Sequence, residues 1–404
     1  MTSEPIVQLY AEHLLNIRTL TLTASLSTES TPLTKAKISA DATTLTLSHE
    51  EVSATIHLPK AIEGGANAVL ELPKQATKDL QLRLMLEEHN HRSHLIKDSP
   101  AKNGALQEDN WVPWSAPSLV RRRGKFSCRN CGTAVLNNSP SSGSVKSIAP
   151  PEDTITLWKD LPNENWAEMM DFWHCHKPDT EDGIHDEAVH TKGYAAGSKI
   201  QAIGGMGFVD IAYFLLASDD CRSIKTKPDN TLHCKQCAAE VGMVDERADG
   251  YRVWKWALSY MPFDTNLPPG NHAIVKWISA LFLFTIENQG VRKIAVHDTA
   301  NTSMSGLLLW IFTPDLTFSS SYQPPNSERL DPTRAMKVFW QDFVTQTGED
   351  VESTSVEEVR IPSRLYVELQ GALEESKNIL PVKSQVFRGW NVALLPRFQG
   401  NEID

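Results

Sequence analysis

Four cysteines carry the clearest chemistry in the sequence. Cys128-Arg129-Asn130-Cys131 is followed by Gly132, and Cys234-Lys235-Gln236-Cys237 by Ala238. A C-x-x-C pair can hold two thiolates on one side of a tight turn, and two pairs complete the tetrahedral four-sulfur shell that structural zinc prefers. A small residue after the second cysteine lets the backbone turn closely around the sulfur. The spacing therefore predicts one zinc site, with Cys128, Cys131, Cys234 and Cys237 as ligands, clipping residues 132–233 into a closed loop. Four thiolates leave no open position for substrate, so the expected role is structural. A thioredoxin-like redox motif would show one such pair at a helix start, not two pairs far apart.

A second constellation lies inside that loop: His174-Cys175-His176. A thiolate is the reactive form of cysteine, and imidazolium neighbours favour it. Against this, a helix ending at Pro178 would point its negative end at the thiol and raise its pKa. Three readings stay open. Cys175 is a nucleophile, or a metal ligand with His176 and Cys221 or His185, or a small buried side chain between capping histidines. Cys221 follows Asp219 and Asp220, which disfavour a thiolate, so it ranks below Cys175 as a nucleophile. No serine-protease order, HExxH, Walker loop or dinucleotide fingerprint stands out. Gly204, Gly205 and Gly207 read as a turn into a buried strand, because no Gly-Lys-Ser/Thr follows them.

The elements that must position these groups read as an α+β chain: an antiparallel β-rich N-terminal part, a zinc-clipped central loop and a mixed α/β C-terminal part. The expected divisions are 1–115, 116–245 and 246–404. Residues 19–86 alternate apolar and polar, as at Leu20, Leu22, Ala24 and Leu26 and again at Leu80, Leu82 and Leu84, which predicts a sandwich or partial barrel. His89, His91 and His94 fall in a polar loop without a ligand pattern. Arg121-Arg122-Arg123 is a short basic run, read as a solvated turn. Residues 137–151 read as a linker. Trp166, Met169, Met170 and Trp173 share one face of a helix capped by Asn163. Further along, 251–258 reads as a strand, 271–289 as a helix closed by Gly290, and 291–296 and 307–312 as strands. Residues 335–343 read as a short helix, 363–380 as a helix and 386–395 as a last strand.

Composition bounds the class. With 404 residues, 41% hydrophobic and 22% charged, the chain is an ordinary globular one. A net charge of -11 argues against broad nucleic-acid binding. The first twenty residues lack the basic start and apolar core of a signal peptide, and no apolar run approaches a membrane span. Six cysteines, four of them in C-x-x-C pairs, suit a metal site in a reducing compartment, cytoplasmic or nuclear.

The ordered set of motifs resembles the HECT-like family that binds ubiquitin-conjugating enzymes. The set comprises Ser127 to Gly132, the Trp173-His174-Cys175-His176 core within 166–178, the stretch 207–216 before Cys221, the Cys234/Cys237 pair, and 390–397. The resemblance covers nearly the whole chain. It implies contact with a ubiquitin-conjugating enzyme and ubiquitin, and ubiquitin-ligase activity. Through a yeast relative it also implies a link to pre-mRNA 3′-end processing, where the partner is the processing endonuclease. True HECT ligases carry their thioester cysteine close to the C-terminus, whereas here no cysteine follows Cys237. A thioester would fall to Cys175, with His174 and His176 beside it. The alternative is a non-catalytic, zinc-stapled assembly factor or chaperone for the endonuclease.

Overall fold

The computed structural model describes residues 7–14, 17, 19–62, 72–73, 75–85, 110–138, 154–161, 200–263, 270–300, 305–324, 329–344 and 356–403. The chain is strand-rich α+β. It divides into two compact units, one made of residues 1–111 and 282–399, the other of 112–281 and 400–404.

The first unit is built on a sheet with nine strands among the described residues. Strand Ser305–Ser320 is its spine. The first half pairs with Lys293–Asp298, through Trp310 opposite Lys293, and the second half with Val7–Leu14, through Ser320 opposite Tyr10. Register shifts between Ile311 and Leu316 mark the place where the partner changes. On its other side the whole strand pairs with Thr333–Val344, which pairs in turn with Trp390–Pro396 and the two-residue edge strand Val386–Phe387. The N-terminal and C-terminal segments of the chain thus share one sheet.

At the far end, Val7–Leu14, Thr19–Leu26 and Asp79–Met85 carry a separate three-stranded sheet on one face. That sheet consists of Lys35–Ile38, Thr44–His49 and Val52–His57. Leu20, Leu22 and Leu26 from one layer meet Leu45, Leu47 and Ile56 from the other in a common core. This is the sandwich that the alternation over 19–86 predicts. His89, His91 and His94 lie outside the described residues.

Residues 335–343 are not a helix. They belong to strand Thr333–Val344. Thr333, Ala335, Met336, Val338, Phe339 and Trp340 are all buried, so the strand is covered on both faces and its period of two disappears from the sequence. Two of the other expected helices are present, while the one over 166–173 lies outside the described residues. Ile274–Gln289 ends at Gly290, whose φ of 69° is the left-handed cap and whose N–H donates to Ile286 O at 2.8 Å. Ser363–Ser376 buries Leu365, Leu369 and Leu373, one residue per turn.

The second unit holds a seven-stranded sheet and a four-stranded sheet. The seven-stranded sheet runs Leu157–Asp160, Met206–Val209, Tyr213–Leu216, Gly250–Trp254, Glu240–Asp245, Thr231–Cys234, Ile224–Thr226. The other contains Leu258–Pro262, Gly124–Cys128, Ala134–Asn138 and Thr154–Ile155. The stretch 251–258 read as one strand serves both sheets. It bends at a 3-10 turn over Lys255–Ala257 and leaves one sheet for the other. At the bend, Lys255 is fully buried among rings. Its Nζ lies 5.2 Å from the Phe214 ring centre and 5.8 Å from that of Trp277, and donates to Pro113 O at 3.5 Å. The surrounding aromatic core includes Trp114, Phe126, Trp158 and Tyr260.

Gly207 has a packing reason. A Cβ there would meet the Trp158 ring at 2.4 Å. Gly205 turns with φ of 75°, its N–H held by both oxygens of buried Asp220 at 3.0 and 2.9 Å. These glycines shape a turn into two short strands, 206–209 and 213–216.

Candidate metal centre

Each cysteine pair sits at the tip of a β-hairpin, one in each sheet of the second unit. Cys128 closes strand Gly124–Cys128, and Cys234 closes strand Thr231–Cys234. The two tips repeat one another bond for bond. Gly132 N–H donates to Cys128 O at 2.8 Å, and Ala238 N–H to Cys234 O at 3.0 Å. Cys128 N–H donates to Thr133 O, and Cys234 N–H to Ala239 O, both at 2.8 Å. The residue after the second cysteine is left-handed in both, with φ of 74° at Gly132 and 58° at Ala238. A left-handed turn frees two sulfurs to face one point. The small residue that the sequence places there makes it possible, at little cost for glycine and at more for alanine.

The four sulfurs converge. Cys128 Sγ lies 3.7 Å from Cys237 Sγ, and Cys131 Sγ 3.6 Å from Cys234 Sγ. All four lie within 4.8 Å of one another. Disulfide sulfurs would be about 2.0 Å apart. Sulfurs at the corners of a tetrahedron around zinc, with Zn–S near 2.3 Å, would be separated by about 3.8 Å. The observed pairs fit the second case. The cluster is half-sheltered: Cys128 and Cys234 are buried, Cys237 is partly covered and Cys131 faces solvent.

Neighbouring groups prepare the sulfurs. Burial pushes the Cys128 thiol up to about 12. The Asn130 side chain, with the Ala239 N–H, brings Cys237 down to about 6. The Thr133 hydroxyl lies 3.2 Å from Cys131 Sγ. His233 braces the second tip, one ring nitrogen 2.9 Å from Ala238 O and the other 2.9 Å from Thr231 Oγ1. Both tips are also hooked to their surroundings by the residue after the first cysteine. Arg129 N–H donates to Ala257 O at 2.9 Å and Lys235 N–H to Ser223 O at 2.7 Å. Arg129 Nη1 reaches His272 O at 2.5 Å, just ahead of helix Ile274–Gln289. The sequence reading missed Asn130, Thr133 and His233. The only sequence signal for them is that C-[Arg/Lys]-[Asn/Gln]-C-[Gly/Ala] recurs, a short repeat that becomes evident once the two tips are compared.

His174, Cys175 and His176 lie outside the described residues, as do the 163–173 helix and His185. Among the described residues, strands Leu157–Asp160 and Met206–Val209 run parallel, and Leu161 N–H donates to Val209 O at 2.8 Å. Cys221 is half-buried, with its N–H on Ser218 O at 3.1 Å, and stands outside the four-sulfur group.

The family described as HECT-like ubiquitin-conjugating enzyme (E2)-binding matches residues 12–392. An uncharacterized protein of Schizosaccharomyces pombe is 24% identical over 306 residues, covering 72% of this chain and 79% of its own. An uncharacterized protein of Saccharomyces cerevisiae is 24% identical over 353 residues, covering 85% and 87% respectively. No solved structure matches the chain. No described helix is long and apolar enough to cross a membrane. With a match that begins in strand Val7–Leu14 and ends in strand Trp390–Pro396, this chain belongs to the HECT-like family of E2-binding proteins.

Proposed function

We propose that the protein binds a ubiquitin-conjugating enzyme and acts as a ubiquitin-protein ligase, with a zinc ion held by Cys128, Cys131, Cys234 and Cys237. The observation that carries the reading is the family match over nearly the whole chain. When bound, the zinc supplies a rigid four-sulfur link between the two hairpin tips and no reactive position. It closes residues 132–233 into a loop, and that loop contains Cys175. The acceptor thiol is Cys175, flanked by His174 and His176, with Cys221 second. Its sulfur attacks the carbonyl carbon of the thioester on the conjugating enzyme. A new C–S bond forms, the old one breaks, and the enzyme's thiol leaves with the proton. A substrate lysine then takes the ubiquitin as an isopeptide and returns the Cys175 thiol. Transthiolation needs only a reachable thiol of moderate pKa. The test is to mix the purified chain with ubiquitin-charged conjugating enzymes and resolve the products without reductant. A reducible ubiquitin adduct that disappears in Cys175→Ser supports the step. No adduct, with full ligase activity retained in Cys175→Ser, removes it.

One observation favours a second reading. No cysteine follows Cys237, so the C-terminal thiol of a HECT ligase has no counterpart. In that reading the protein is a non-catalytic assembly factor for the pre-mRNA 3′-end processing endonuclease, in cytoplasm or nucleus. It is tested by asking whether Cys175→Ala restores function in cells lacking the protein; failure to do so counts against it.

A further inference from the structure

A hairpin closes one edge of the nine-stranded sheet in the first unit. Strands Val386–Phe387 and Trp390–Pro396 are joined by two residues, Arg388 and Gly389, with φ of 48° and 86°. Two left-handed residues in a two-residue turn suit Asn-Gly or Asp-Gly. Arginine there is strained, since its Cβ crowds the following carbonyl. Nothing in the fold is gained in return. The side chain is exposed, and no described acidic group pairs with it. Its guanidinium lies 5.4 Å from the centre of the exposed Phe387 ring.

Phe387 ends a row of three stacked rings. It lies 5.1 Å from Phe339 at 24°, and Phe339 lies 4.7 Å from Phe312 at 22°. Phe339 is buried, but the flanking rings are open, Phe312 at 46% and Phe387 at 43%. Trp310 meets Phe312, Phe339 and Trp390 edge-on, and the amine of Lys293 lies 6.0 Å over the Trp310 ring. Val386 adds a further open apolar side chain, at 57%. The hydrophobic core of this sheet face, which includes Phe339, with Trp310 and Trp390 packed against it, therefore runs out to the surface at Phe312, Phe387 and Val386.

The charges around it are selective. Lys337 pairs with Glu12, Arg329 with Asp331, Arg334 and Arg397 with Asp315, Lys377 with Glu374, and Lys383 with Asp79. Arg388 and Lys293, at the two ends of the aromatic row, have no such partner among the described residues. In a chain of net charge -11, two cations without an acid, each set against an exposed or half-exposed aromatic group, ask for an anion from outside. Two is too few for a nucleic-acid strand, where each neutralised phosphate takes one cation and the acidic remainder repels the backbone. Two suffices for a peptide.

We infer that this edge is a docking site for a short acidic segment of a partner protein. The segment carries one or two carboxylates for Arg388 and Lys293 and an aromatic or aliphatic anchor between them for the surface of Phe312, Phe387 and Val386.

The test uses the full chain and fluorescence anisotropy. The probe is a fluorescein-labelled peptide with alternating Glu and Phe or Leu. The comparators are the same peptide with Lys for Glu, and a single-stranded oligouridylate. The acidic peptide should bind saturably, and Arg388→Gly should weaken it about tenfold. Arg388→Gly also relieves the strained turn, so its melting midpoint should equal or exceed the wild type, which separates lost binding from lost folding. Phe312→Ser should weaken binding by a similar factor. The inference is overturned if the lysine peptide binds as well as the acidic one, if Arg388→Gly leaves affinity unchanged, or if the oligouridylate binds more tightly than either peptide.

Discussion

Lys255 offers a sharp test of the second unit's core. It is fully buried at the bend between two sheets, and burial lowers its pKa from 10.5 to about 7, against a smaller opposing pull from Asp210 and Asp160. A drop of that size corresponds to roughly 5 kcal/mol of penalty for the charged form. The Phe214 and Trp277 rings return about 2 kcal/mol through their contacts with the cation. The folded pKa of about 7 sets the linkage cost itself, roughly 4 to 5 kcal/mol at neutral pH, where about half the folded molecules have released the proton. The direction with pH is fixed by which state holds the proton. Between about pH 7 and 10.5 the unfolded chain keeps it and the folded chain has lost it, so this contribution makes stability rise with pH across that window. Below pH 7 the penalty is constant and complete. Lys255→Met keeps the volume and removes the charge. The variant should be more stable than the wild type by about 4 kcal/mol at pH 7, and the gap should shrink steadily toward pH 10. Urea unfolding followed by tryptophan fluorescence at several pH values reads both quantities, with Trp114 and Trp277 as nearby reporters. A variant less stable than the wild type at pH 7, or a gap that does not change with pH, would refute the reasoning.

Three further outcomes follow from named contacts. Ala238→Gly should raise the urea midpoint, by about 1 kcal/mol, because alanine sits in the left-handed region at that tip. Gly207→Ala should lower stability by roughly 2 kcal/mol, since its Cβ would strike the Trp158 ring and that ring sits in a filled core. Metal removal with a strong chelator should destabilise the second unit by about 4 kcal/mol, the loop-closure value for about a hundred residues, and loading should weaken on acidification because ligand thiols must lose protons; unfolding curves with and without chelator at pH 6 and 8 check both.

The sequence was most readable where the structural rule is local. Metal-ligand spacing is local, so the cysteine tips were legible, down to the small residue in the left-handed position. Strands whose apolar and polar side chains alternate, such as Thr19–Leu26, were legible from that alternation. The helix at Ser363–Ser376 was legible from its Leu365, Leu369, Leu373 stripe. Legibility failed where burial on both faces erased the period. Val7–Leu14 and Thr333–Val344 are central strands; the sequence suggests no element over the first and reads as a helix over 335–343 of the second. Pairing of Val7–Leu14 with Ser305–Ser320 brings together segments three hundred residues apart, which no window of sequence reveals. The bend at Lys255 was hidden because Trp254-Lys255-Trp256-Ala257 continues an apolar run through a change of sheet. Asn130, Thr133 and His233 act through distances and bonds that their residue types alone do not announce.

The central claim is that this chain engages a ubiquitin-conjugating enzyme, and calorimetric titration tests it most directly. The purified, metal-loaded chain is titrated with each member of a panel of uncharged conjugating enzymes. The account predicts saturable one-to-one binding to at least one of them, lost when Cys234 and Cys237 are both replaced by serine. Heat of dilution alone across the whole panel, from a chain shown to be folded and metal-loaded, would contradict it.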